Sequence, residues 1–116
     1  MPVQLSAKQL SEIAGSFGTP VYVYHAEKIA EQYNKLTGAF SSFDSKIFYA
    51  CKALSNINIL KYICSLGASL DCVSINEVKL GLMAGFRNED ILFTPNCVDF
   101  NRQHFYAGAI WQSVFQ

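Results

Sequence analysis

Close-spaced metal ligands, phosphate-cradling glycines and long apolar runs are all missing from this 116-residue chain. Its cysteines, Cys51, Cys64, Cys72 and Cys97, form no C-x-x-C pair, and its histidines are His25 and His104 alone. Zinc sites draw on close-spaced ligand pairs, so no metal site is expected and the thiols read as buried and reduced. Neither G-x-x-x-x-G-K nor G-x-G-x-x-G occurs, which argues against a nucleotide-binding turn. No window approaches about 18 uninterrupted apolar residues, and "MPVQLSAKQL" lacks the basic-then-apolar pattern of a secretion leader. A cytoplasmic protein without a membrane partner is expected. Charge is sparse as well, at 16%, and nine basic and nine acidic residues cancel. They are scattered, with no basic stripe to meet phosphate backbones, so nucleic acid is not an expected partner.

Hydrophobic residues make up 51% of the chain. That excludes disorder and is greasy for so short a soluble chain, which suits one small domain, or part of one, with a partner surface missing. Ser6 can cap a first helix, with Gln9 in the capping-box position and Leu10, Ile13 and Phe17 as its inner face up to Gly18. "TPVYVY", Thr19 to Tyr24, reads as a strand. A second helix follows from about His25 to Phe40, with Ile29, Tyr33, Leu36 and Phe40 at helical spacing.

From Lys46 the chain alternates. The strand Ile47 to Cys51 is apolar on both faces, the mark of a fully buried strand. A helix from about Asn56 to Leu66 ends at Gly67. The strand Ser69 to Val73, a helix from about Ile75 to Ala84 ended by Gly85, and the strand Ile91 to Thr94 complete the series. Short strands separated by helices imply parallel pairing with right-handed crossovers, hence an α/β fold. An open doubly wound sheet would carry a glycine-rich turn after its first strand, and "KALSN" has none. The pattern therefore predicts the first three strands of an incomplete (β/α)8, TIM-like barrel. Residues 1–24 form a helix and strand leading in, 25–100 the barrel part, and 101–116 a tail with no assigned role.

Barrel active sites lie at the C-terminal ends of strands. Lys52 holds that position after the first barrel strand, and Asp71 and Ser74 hold it at the second. A partly desolvated lysine amine can attack a carbonyl, and Asp71, if near, would hold that amine by charge. Plainer explanations stand beside these. Strand-end lysines are commonly solvated loop residues, and Ser74 with Glu77 makes a capping box in its own right. Asp71 is harder to dismiss, because a carboxylate inside a buried strand costs free energy unless something pairs with it.

"FYACKALSN" resembles the lysine motif of the fold-type III pyridoxal-phosphate decarboxylases. "GASLDCVSINEVKLGLMAGF" is similar to the next block of that family, and "TPVYVYHAEKI" and "ILFTPN" to its N-terminal and third barrel strands. The likeness runs from about Gly18 to Phe100. It implies an alanine racemase-like barrel and pyridoxal 5'-phosphate as cofactor, bound covalently by Lys52. Asp71 and Glu77 match acidic residues near that lysine, and Ala50 and Ser74 would line the pocket. It also implies an amino-acid substrate, carbon dioxide release and a homodimer of full-length chains. Ornithine- or arginine-type decarboxylases of the same fold remain open, as does a non-catalytic, cofactor-binding or structural role. The family's glycine-rich phosphate grip, pyridine-contacting acid, later strands, C-terminal β domain and dimer-partner cysteine have no counterpart here. A truncated, frame-shifted or artificially ended product without useful activity of its own is the corresponding expectation.

Overall fold

The computed structural model describes residues 4–95, so Cys97, His104 and the tail 101–116 lie outside the described residues. Among the described residues, those up to Ser42 form one compact unit and those from Phe43 another.

The first unit holds two helices. Helix α1, Ala7–Phe17, begins at the predicted capping box: Ser6 Oγ accepts from the Gln9 amide, and the Gln9 side chain accepts from the Ser6 amide. Its expected inner face is only partly covered, however: Ile13 is half-buried, but Phe17 stays 78% exposed. Helix α2, Ala26–Ala39, is capped by His25, whose Nδ1 accepts from the Lys28 amide. Between them the expected strand over Thr19–Tyr24 is absent. The segment is irregular, and Tyr22 is 89% exposed. Alternating aromatic and β-branched residues favour an extended chain, but a strand exists only with a neighbour to accept its ladder hydrogen bonds. No described residue supplies one.

The second unit is the α/β part. Strand β1 (Phe48–Ala50) runs into a turn of 3-10 helix, Cys51–Ala53. Helix α3 (Ile57–Ser65) is capped by Asn56, and β2 (Ser69–Cys72) follows. Helix α4 (Ile75–Ala84) is capped by Ser74 and stopped by Gly85 at φ 103°, a left-handed conformation that glycine adopts without penalty. A second 3-10 turn, Asn88–Asp90, leads into β3 (Ile91–Phe93). The strands are parallel in the order β1-β2-β3, an open sheet as the first part of a barrel requires.

In the register, Tyr49, Leu70 and Ile91 stand side by side, as do Ala50 and Asp71. Because strand side chains alternate, Leu70 and Cys72 share one face and Ser69 and Asp71 the other. The Leu70 face packs against α4: a Cβ placed on Gly81 would lie 2.5 Å from Leu70 Cδ2 and 3.3 Å from Ile91 Cδ1. Leu60, Ile63, Leu70, Cys72, Val78 and Ile91 form the core of this layer. Burial is greatest in β2, the middle strand. The expected full burial of the first barrel strand does not hold: Phe48 is 38% exposed, since β1 lies at the edge of the sheet among the described residues.

Candidate functional site

The C-terminal strand ends gather most of the residues that the sequence singles out. Lys52 sits in the 3-10 turn directly after β1 and is exposed. Its ammonium group has no ion pair or hydrogen bond among the described residues. Tyr49 stabilises the same turn, its hydroxyl donating to the Leu54 carbonyl at 3.2 Å. Burial pushes the Tyr49 phenol above its usual pKa, with the neighbouring Cys51 adding to the shift.

Ala50 pairs in register with Asp71, so a methyl group stands beside the carboxylate on that face and leaves little bulk there. The expected pairing of Asp71 with Lys52 is not formed. Instead the Thr94 hydroxyl, at the end of β3, donates to Asp71 Oδ1 at 2.7 Å. This bond supplies the partner that a carboxylate in a mostly buried strand needs. Thr94 escaped notice in the sequence, although the strand-end rule that selects Lys52 and Asp71 selects it too.

Ser74 and Glu77 form only half of the expected capping box. Ser74 Oγ accepts from the Glu77 amide at 3.2 Å, but the Glu77 carboxylate reaches one residue further back and accepts from the Val73 amide at 2.7 Å. That reach also carries it to the thiols of Cys51 and Cys72. Burial first, then Glu77, raises the Cys51 pKa. Burial and the adjacent Cys51 hold the Cys72 thiol well above the usual thiol range. Both cysteines are buried and unpaired, as expected, and Cys64 is free but only partly buried.

The strand ends thus present an amine that can condense with an aldehyde, an oriented carboxylate, and a capped helix N-terminus of the kind that attracts anionic groups. Comparison with known proteins shows the family. Residues 26–105 match the family described as pyridoxal-dependent decarboxylase, pyridoxal binding domain. A diaminopimelate decarboxylase of Methanothermobacter thermautotrophicus is 42% identical over 89 residues, 75% of this chain and 21% of that protein. Another, from Campylobacter jejuni, is 42% identical over 87 residues, again 75% of this chain and 21% of its own length. Among solved structures, diaminopimelate decarboxylase from Helicobacter pylori complexed with L-lysine superposes with a TM-score of 0.77 at 32% identity, covering 87% of this chain and 26% of that one. The chain spans 21% of the length of these curated relatives, and it belongs to the pyridoxal-dependent decarboxylases through their pyridoxal-binding domain.

Proposed function

We propose that this chain is the lysine-bearing part of a cytoplasmic enzyme, a homodimer at full length, that decarboxylates meso-diaminopimelate to L-lysine and carbon dioxide. The observation that carries the reading is the placement of Lys52: an exposed, unpaired amine at the end of a parallel strand inside the matched pyridoxal-binding domain. When bound, pyridoxal phosphate supplies an electron-accepting ring that takes up the charge left as a carboxylate departs.

The chain's own residues do simpler work. Lys52 holds the cofactor covalently through Nζ, and Tyr49 stiffens the turn that presents it. Asp71, oriented by Thr94, sets a negative charge at the neighbouring strand end, where it favours a protonated nitrogen nearby. Ala50 leaves room on the same face. Ser74 lines the pocket while capping α4, whose N-terminus attracts anionic groups. Glu77 serves from behind, fixing the Val73 backbone between Asp71 and the cap. Support for the substrate comes from the relatives' names and from the L-lysine bound to the Helicobacter pylori enzyme.

The test is an absorbance scan with added pyridoxal phosphate, followed by borohydride reduction and peptide mapping. The cofactor is expected to be trapped on Lys52, and Lys52→Ala is expected to abolish the label. Labelling spread over surface lysines and unchanged in Lys52→Ala would sink the reading. Carbon dioxide release from meso-diaminopimelate is expected from the full-length enzyme and not from the 116-residue chain, whose described residues form only a three-stranded open sheet.

A further inference from the structure

The sheet face turned toward α4 carries a second cluster, distinct from Lys52 and Asp71. Cys51 and Cys72 each follow the register pair Ala50–Asp71 by one residue, so the parallel ladder brings together two thiols that are 21 positions apart in sequence. Both are fully buried. Glu77, in the first turn of α4, completes the group: one ligating atom from each of Cys51, Cys72 and Glu77 lies within 4.8 Å of the other two.

We propose that Cys51, Cys72 and Glu77 form a site for one thiophilic divalent cation of the zinc and cadmium class. The dimensions suit it. Metal–sulfur bonds of about 2.3 Å in a tetrahedral site place neighbouring sulfurs about 3.8 Å apart, so the two sulfurs need to close by about 1 Å or less, and the carboxylate oxygen by slightly more. The carboxylate is already oriented, since Glu77 Oε2 accepts from the Val73 amide, and its remaining lone pairs are free to ligate. The charge arrangement suits it as well. A carboxylate against two buried thiols makes each thiol harder to ionise, and a dication turns that repulsion into attraction.

Binding forms two metal–sulfur bonds and one metal–oxygen bond and releases one proton from each thiol to solvent, with no oxidant required. A fourth position remains for water. Thiolate ligands select soft or borderline cations, so magnesium and calcium are not expected to compete. Glu77 is the one partly exposed member of the cluster, the two thiols being buried.

The decisive experiment uses the full chain as the Cys64→Ser/Cys97→Ser double variant, which retains only the two clustered thiols. Reduced, metal-free protein is titrated with cadmium chloride while sulfur-to-cadmium charge-transfer absorption in the ultraviolet is followed. One cadmium per chain is expected, displaced by zinc and not by magnesium, with two protons released. Adding Cys51→Ala or Cys72→Ala is expected to abolish the band. Glu77→Gln, at a partly exposed position, serves if the alanine variants fail to fold. Because losing even an outer-shell partner costs about 10- to 100-fold in metal affinity, Glu77→Gln is expected to cost at least tenfold. A folded double variant without a saturable band, a band that survives Cys51→Ala and Cys72→Ala, or unaltered affinity in Glu77→Gln overturns the proposal.

Discussion

The Thr94 hydroxyl donates to Asp71 Oδ1 at 2.7 Å, tying the C-terminal end of β3 to that of β2 on the face where Ala50 also stands. A hydroxyl has one proton to give, and the longer 3.4 Å approach of Thr94 Oγ1 to the Cys72 carbonyl is the weaker alternative. Hydrogen bonds to charged groups contribute about 1.5–3 kcal/mol when well made. Thr94→Val keeps the shape and removes the donor, so it should lose about 1–2 kcal/mol in urea unfolding, whereas Thr94→Ser should stay within about 1 kcal/mol of the parent. Equal stability of the valine and serine variants would contradict this assignment.

At the opposite end of the sheet, Asp90 receives Lys46 Nζ on Oδ1 and Arg87 Nε on Oδ2, both at 2.7 Å. Lys46 also donates to the Glu89 carbonyl, so the start of β1 is fastened to the turn before β3 across the whole sheet. The Arg87 hydrogen bond first, then that from Lys46, lowers the Asp90 pKa below its ordinary 3.8. A carboxyl group with a depressed folded pKa adds stability that is complete above its unfolded pKa and is lost as pH falls through the folded one. Asp90→Asn should therefore melt below the parent at pH 7, and the gap should close as pH drops below about 4. Both cations are well exposed, so added salt should narrow the pH 7 gap too. A gap independent of pH would rule out the ion pairs as its source.

Local signals in the sequence read well where the partner is also local. Ser6 with Gln9, Gly67 after α3 and Gly85 after α4 place these elements almost to the residue, because caps involve neighbours only a few positions away. Strands need distant partners. Thr19–Tyr24 has strand composition but no described neighbour, and β1 has the composition of a central strand at a sheet edge. The same limit applies to the site. Lys52 and Asp71 stand out as strand-end charges, but Thr94 as the partner of Asp71, and Cys51 beside Cys72, follow from a register that no spacing rule encodes.

Gly81 marks the closest approach of α4 to the sheet. A Cβ there would lie 2.5 Å from Leu70 Cδ2, and Leu70 is fully buried with little room to turn away. Overpacking a core costs about 1–3 kcal/mol, more than the roughly 1 kcal/mol that alanine gains over glycine inside a helix. Gly81→Ala should therefore destabilise the chain by up to about 2 kcal/mol. Gly15, inside α1, has no atom within 4 Å of such a Cβ, so Gly15→Ala should gain helicity at no steric cost. Thermal melts of the two variants should move in opposite directions, and a stabilised Gly81→Ala would mean that the α4–sheet contact is looser than these distances require.

Ser74 and Glu77 separate two jobs that a single capping box normally joins. Ser74 Oγ satisfies the Glu77 amide inside α4, whereas the Glu77 carboxylate satisfies Val73, outside the helix and directly after β2. Losing a serine cap costs about 1 kcal/mol, and Ser74→Ala should show that loss. Ser74→Asp, which can still accept from the same amide and adds negative charge at the helix N-terminus, should recover most of it. Glu77→Gln retains an acceptor for the Val73 amide, so it should cost less than Glu77→Ala, which leaves that amide unpaired beside the buried Cys72. Hydrogen exchange at the Val73 amide reads the difference directly: fast in Glu77→Ala, slow in Glu77→Gln and in Ser74→Asp. Equal protection in the two Glu77 variants would mean that the carboxylate does not hold the end of β2.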